Sequence, residues 1–230
     1  MSTRLGHRSS ADTNNHVPPR FLLKDQAYEQ IKCRLLNNDY PPGTFLSERQ
    51  LAQNLGMSKT PVRAALERLE LEGLIAVSPQ QGIVVRELSV HEIADLYEIR
   101  AALESYVLRT LAGKLTTDQT ARVRANLQAQ TRLRGSGDVA KGVELDAAFH
   151  TQFVEFLGNA EILKVIVQLR EKMQRVVTQV FRLSPARIDT SYAEHAAIAA
   201  AVIDGDATRA TELVISHLEL GKRLILSPRG

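Results

Sequence analysis

The stretch from Leu46 to Val85 leaves this chain little freedom, because two short amphipathic helices on one tight turn, followed at once by a hairpin, must bury their apolar faces against one another. Ser47 with Gln50 three residues later is a capping-box pattern that opens a helix through Leu55, with Leu51 and Leu55 on its inner face, and Gly56 ends it. After Gly56 and Met57, the run Ser58-Lys59-Thr60-Pro61 starts a second helix reaching about Glu72; Ser58 and Thr60 are both candidate caps, and Pro61 is tolerated in a first turn. Val62, Leu66 and Leu69 share one face, which leaves Lys59, Thr60 and Arg63 exposed near the amino-terminal end. Two helices joined this way form a helix-turn-helix, whose second helix meets a DNA major groove. Gly73 stops that helix. Leu74-Ile75-Ala76-Val77, a turn over Ser78–Gly82, and Ile83-Val84-Val85 then predict a β-hairpin, a wing whose tip of amides and glycine suits close approach to phosphates or the minor groove. Read as a plain helical hairpin, the same stretch would carry Arg49, Lys59, Arg63 and Arg68 as a solvated face.

Ahead of this unit, Ala27, Ile31 and Leu35 recur every four residues between Leu22 and Asn38, one buried helical stripe, and Tyr40-Pro41-Pro42-Gly43 breaks the helix. Cys33, the chain's single cysteine, is assigned to the core of this helix. It excludes an internal disulfide framework and agrees with a reducing cytosol. Residues 1–20 are polar, end in Pro18-Pro19, and read as a disordered tail.

Beyond a linker at Arg86–Val90, Ser89 with Glu92 is a second capping box, and six helices follow near 90–113, 116–134, 138–157, 160–183, 189–203 and 206–226. The hydrophobic content of 44% suffices for packed cores in two domains, and with 5% aromatic residues and no Trp those cores are aliphatic. The expected fold is mainly α: a tail (1–20), a winged helix-turn-helix (21–86), and an all-α antiparallel bundle (87–230). A net charge of +3 and a pI near 9.1 lean towards a polyanionic partner without deciding it. No apolar run is long enough to cross a bilayer and the first residues lack the apolar centre of a signal peptide, so a cytoplasmic protein without a membrane partner is expected.

Three histidines fall in the bundle, at 150, 195 and 217, each on its own helix. Asp146 and His150 are four residues apart and project from one helical face, a spacing that lets an oxygen and an imidazole nitrogen share a metal. His195 and His217 complete a three-His, one-carboxylate set if their helices face the same cavity. A surface Asp-His pair and scattered hydrogen-bonding imidazoles fit the same spacing.

The run LSERQLAQNLGMSKTPVRAALERLELEGLIAVSPQQGIVV closely resembles the winged-helix signature of the GntR family of bacterial regulators. That resemblance implies DNA contacts by Arg49, Thr60 and Arg63, with Ser58 and Lys59 at the helix start and Gly82 at the wing. Lys59 departs from the family's usual Arg, and a point charge in place of a two-pronged donor weakens or alters base preference there. ADLYEIRAALE, DAAFHTQFVEFLGN, EHAAIAAAVIDGD and SHLEL similarly resemble the FCD ligand-binding domain. In its metal-binding members, positions matching Asp146, His150, His195 and His217 hold zinc, nickel or a related divalent ion. All four are present, which argues against the subgroup that binds a long acyl thioester without metal. Arg100 matches an Arg that faces the family's cavity and grips a carboxylate; salt bridges to Glu98 or Glu104 are its plainer use.

Together these resemblances imply a homodimeric repressor that reads a palindromic operator and answers to a small carboxylate bound at a divalent metal, zinc foremost. The rival is a metalloenzyme, since histidines with a carboxylate also describe catalytic sites. No H-E-x-x-H, phosphate-binding Gly loop, serine elbow or reactive-cysteine motif accompanies the histidines, so a regulator rather than an enzyme is expected.

Overall fold

The structure, a computed structural model, describes residues 22–78, 82–184 and 186–226. The tail expected over 1–20 and the wing-tip amides Gln80 and Gln81 lie outside the described residues.

Helix α1 (Leu23–Leu36) buries Ala27, Ile31 and Leu35 completely, the stripe that the four-residue spacing sets on one face. Cys33 does not join them. It stands two residues past Ile31, roughly 200° around the helix, and is exposed, which corrects its assignment to the core. A two-residue strand β1 (Phe45–Leu46) precedes helix α2 (Glu48–Leu55); the Ser47 hydroxyl accepts from Gln50 N at 3.1 Å, and Gly56 closes the helix in the left-handed region at φ 62°. Helix α3 (Lys59–Leu71) has Ser58 at its N-cap without a side-chain cap bond. Val62, Leu66 and Leu69 turn inward as expected, and Leu69, fully buried, is a position where truncation to Ala costs about 2–5 kcal/mol. Strands β2 (Ile75–Ser78) and β3 (Gly82–Val85) pair antiparallel with Val77 opposite Ile83 and Ser78 opposite Gly82. The sheet order is β1-β3-β2, since Phe45 pairs with Val84 and Leu46 with Ile83. Thus β1 is a third strand that the sequence reading lacked.

Among the described residues six helices follow: α4 (Val90–Leu111), α5 (Thr117–Leu133), α6 (Val139–Leu157), α7 (Ala160–Leu183), α8 (Ala186–Asp204) and α9 (Ala207–Leu226). Complete capping boxes at Ser89/Glu92 and Thr116/Gln119 start α4 and α5, and the Asn159 side chain accepts from the backbone N–H groups of Glu161 and Ile162 at the start of α7. Each such cap is worth about 1 kcal/mol. The bundle has its own core, in which Val107, Val123, Ile198, Val202 and Val214 pack with Phe149 and Phe153, separate from the cluster of the amino-terminal unit. Packing four helices, α4, α6, α8 and α9, about one centre brings residues far apart in sequence to a common interior. No helix among the described residues is long and apolar enough to cross a membrane.

The amino-terminal unit touches the bundle along α7. The Lys32 ammonium of α1 lies 2.8 Å from Glu171 and 3.0 Å from Glu72, and Arg182 donates to the Asn37 carbonyl at 3.2 Å.

Candidate functional site

Asp146 and His150 project from the inner face of α6, His195 from α8 and His217 from α9, and all four side chains are buried. One ligand atom from each lies within 4.8 Å of the others, so the separate helices do face one cavity. The imidazole centroids stand 4.8–5.1 Å apart, and Phe149 stacks on His195 at 4.1 Å, fixing that ring's plane.

Each imidazole has its Nδ1 tied outward. His150 Nδ1 lies 2.7 Å from Glu104 Oε2, His195 Nδ1 lies 3.0 Å from Gln130 Oε1, and His217 Nδ1 lies 2.6 Å from Glu194 Oε2. A carboxylate or amide oxygen accepts only, so each Nδ1 carries a proton and each neutral ring presents a bare Nε2 lone pair. Gln130 is held to this orientation because its amide N–H donates to Asn126 Oδ1 at 2.6 Å, while Asn126 donates to the Leu145 carbonyl. At His217 the Arg187 Nη2 approaches to 3.3 Å, but the shorter carboxylate contact sets the tautomer.

The inward nitrogens are left bare. His150 Nε2 and His195 Nε2 are buried without a hydrogen-bond partner, and the 3.6 Å from His195 Nε2 to Asp146 Oδ1 is too long for one. Asp146 Oδ1 accepts from Ser191 Oγ at 3.3 Å. Burying an unsatisfied polar atom costs about 1–3 kcal/mol, so two on one cavity imply that something accepts their lone pairs.

Electrostatics favour the unprotonated form of His195 and His217. Burial, aided by the neighbouring His217 and His150, holds His195 well below its ordinary range, and burial lowers His217 despite Glu194. Burial alone would raise Glu104, yet Arg100 and His150 outweigh it and hold the carboxyl well below the usual range; Glu194 is likewise drawn down to about 2 by His217 and Arg187. Neutral imidazoles beside ionised outer carboxylates are the protonation state a cation needs.

Arg100 is buried on α4. Its Nε donates to Glu104 Oε1 at 2.7 Å, and it lines, with Asp146 and His150, a small cavity of about 30 Å³ between α6 and α7, room for an ion or a few waters. Gln130 and Glu194 are the members of the site that sequence reasoning missed, and Glu104, expected only as a partner of Arg100, also ties down His150. Only Glu104 had a signal, its i,i+4 spacing from Arg100.

On the other unit, Arg49, Ser58, Lys59, Thr60, Arg63 and Gly82 are all exposed. Arg63 reaches back to Glu48 with two parallel hydrogen bonds, Nε to Oε1 at 2.8 Å and Nη2 to Oε2 at 3.0 Å, which hold the guanidinium at the amino-terminal end of α3.

Two families match the chain: bacterial regulatory proteins of the gntR family over residues 23–85 and the FCD domain over residues 95–220. Among curated proteins, the Nta operon transcriptional regulator of Aminobacter aminovorans is 34% identical over 59% of this chain, which covers 64% of that protein's length. An uncharacterized HTH-type transcriptional regulator in an unstable DNA locus of Streptomyces ambofaciens is 30% identical over 90% of this chain and 85% of its own. The HTH-type transcriptional repressor GlaR of Escherichia coli is 26% identical over 83% and 90%. Among solved structures, a GntR transcriptional regulator from Rhodococcus sp. RHA1 superposes with a TM-score of 0.76 at 20% identity, covering 90% of this chain and 99% of that one, a likeness of fold. These relatives and domains are transcriptional regulators, not enzymes.

Proposed function

The chain belongs to the gntR family of bacterial regulatory proteins, with an FCD domain following its DNA-binding unit, and on that premise we propose that it is a homodimeric repressor released by a small carboxylate that binds beside a divalent metal. The observation that carries the sensing half is the set of three buried imidazoles, each with Nδ1 tied outward and Nε2 turned towards Asp146. Asp146, His150, His195 and His217 would hold the cation, and their mixture of imidazole and carboxylate suits zinc, with nickel as an alternative. When bound, the metal supplies a Lewis-acidic position for a carboxylate oxygen. Arg100 adds a second grip, since only its Nε is engaged by Glu104 and its terminal nitrogens stay available to the cavity.

Residues 21–86 form the reading head and 87–230 the sensing and dimerising domain. Arg49, Ser58, Lys59, Thr60 and Arg63 contact the major groove and its phosphates, and Gly82 brings the wing backbone near the minor groove. In free protein Glu48 keeps the Arg63 fork ordered, and DNA takes the fork over. A dimer places two such heads on a palindromic operator in the cytoplasm. Repression follows the function in the name of the GlaR relative. Effector binding alters the heads' separation, and coupling of about 1–3 kcal/mol is the usual scale.

The test is elemental analysis of protein purified without an affinity tag, paired with His195→Gln. Stoichiometric divalent metal is expected in the wild type. In the variant, metal and the thermal shift by carboxylates should disappear while operator binding persists. Wild-type protein that carries no metal and takes none up from a zinc buffer overturns the sensing half.

A further inference from the structure

Helix α5 contributes none of the four ligands, yet it packs against both α6 and α8, which carry three of them. Its buried residues are Val123 and Gln130. A glutamine with no exposed surface is uncommon, because both ends of its amide must find partners away from water. Gln130 finds them within a single file of bonds. His195 Nδ1 donates to Gln130 Oε1 at 3.0 Å, Gln130 Nε2 donates to Asn126 Oδ1 at 2.6 Å one turn back along α5, and Asn126 Nδ2 donates to the Leu145 carbonyl of α6 at 3.2 Å.

An amide can point either way, so a file built on two amides has two polarities. In the one observed, His195 donates from Nδ1 and leaves Nε2 bare. In the reverse one Gln130 Nε2 donates to Nδ1, the ring proton sits on Nε2, and that nitrogen is closed to a metal. The imidazole itself does not enforce the first: its Nε2 stands 3.6 Å from Asp146 Oδ1, so a proton there would gain an acceptor after a small shift. The choice is made at the far end. Leu145 closes the file with a backbone carbonyl, which carries no proton and only accepts. It holds the Asn126 N–H₂ towards α6 and so turns the Asn126 oxygen to Gln130; Asn126 then orients Gln130, and Gln130 orients the imidazole. Because Leu145 precedes Asp146, the file runs from one ligand to the backbone beside another.

We propose that Asn126 is a positioning residue for the metal site: through Gln130 it locks His195 in the tautomer with a free Nε2. This deepens the metal reading above and rests on it, and it extends the site to a half-buried residue two hydrogen bonds removed from the ligand.

Asn126→Leu keeps the bulk of the side chain and removes both of its bonds. Gln130 is then free to turn, and turning gives both ring nitrogens of metal-free His195 a partner, so the reversed polarity takes over. Asn126→Asp keeps an acceptor for Gln130 Nε2 and offers a turned Gln130 oxygen no donor, so the lock holds. Two measurements on full-length, untagged protein separate them. In metal-stripped protein carrying isotope-labelled histidine, the ring-nitrogen chemical shifts of His195, assigned by their loss in His195→Gln, report which nitrogen holds the proton. The proton is expected on Nδ1 in the wild type and Asn126→Asp and on Nε2 in Asn126→Leu, while His150 and His217, held by Glu104 and Glu194, stay unchanged in all three. Competition against a chelator is expected to show zinc bound about tenfold more weakly by Asn126→Leu and within about threefold of wild type by Asn126→Asp. A His195 that keeps its Nδ1 proton in Asn126→Leu, or an Asn126→Asp that loses zinc as far as Asn126→Leu does, overturns the lock. The tautomer is read without metal, so a wild type that takes up no zinc removes the metal reading and leaves the nitrogen shifts to decide the lock.

Discussion

Replacing Glu104 with Gln poses a question that two neighbouring groups must answer in opposite ways. Glu104 accepts from Arg100 Nε and from His150 Nδ1, each at 2.7 Å, and is nearly inaccessible to solvent. A glutamine offers one oxygen and one amide N–H₂ to the same two donors. The guanidinium has no second form, whereas an imidazole can move its proton. The oxygen therefore turns to Arg100 and the N–H₂ to His150, whose Nδ1 must become the acceptor. The proton then sits on Nε2, the nitrogen a metal needs bare. Binding metal requires undoing this tautomer and setting two buried donors against each other, at about 1–3 kcal/mol. That corresponds to metal binding about 10- to 100-fold weaker, in keeping with other losses of outer partners of metal-ligating histidines. Competition against a chelator on untagged protein reads the affinity. Because Glu104→Gln also leaves the buried Arg100 without a counter-charge, an effect of about 3–5 kcal/mol on stability, the double variant Arg100→Met/Glu104→Gln separates folding from metal binding. Zinc held within about twofold of wild type by Glu104→Gln would refute the tautomer argument, whereas the double variant, whose glutamine oxygen is free to accept from His150 Nδ1, should recover most of the affinity.

Arg63→Ala removes the fork that rests on Glu48; operator affinity measured by fluorescence anisotropy should fall at least about tenfold with the melting temperature unchanged, and an unaltered affinity would move the reading head elsewhere. Acid should destabilise metal-stripped protein in two stages. Burial holds folded His195 and His217 below their ordinary 6.5, so the unfolded chain takes up protons first and stability, full above that pH, declines as pH falls below it. Glu104 and Glu194, held below their ordinary 4.5, contribute stability that is present above that pH and lost as pH falls on towards their folded values; a melting temperature that climbs on acidification from about pH 7 to 5 contradicts the first stage. Lys32→Met cuts the ion pair between α1 and α7 and should bring the effector's influence on operator affinity towards none while metal content stays stoichiometric; an undiminished influence would place the coupling elsewhere.

The elements most legible in the sequence were those fixed by local chemistry. Ser47 and Ser89 announce helix starts because a cap is satisfied within three residues, and Gly56 ends α2 because its left-handed φ suits glycine. Asp146 and His150 were visible as a pair for the same reason, being one helical turn apart. The outer partners were not: Gln130 and Glu194 meet His195 and His217 across 65 and 23 residues, and nothing near them in sequence marks them as acceptors. Strand β1 escaped because two residues carry no period; Phe45 and Leu46 become a strand only when β3 arrives to pair with them. Cys33 was misplaced because a small apolar residue type was given more weight than its angle around α1.

Helix α7 holds the amino-terminal unit at two moorings, Glu171 on Lys32 and Arg182 on the Asn37 carbonyl. At the α-helical rise these lie roughly 16 Å apart along one stiff rod. A body pinned at two points keeps one rotation, about the line that joins the pins. The head can therefore swing like a door on its post but cannot slide along it.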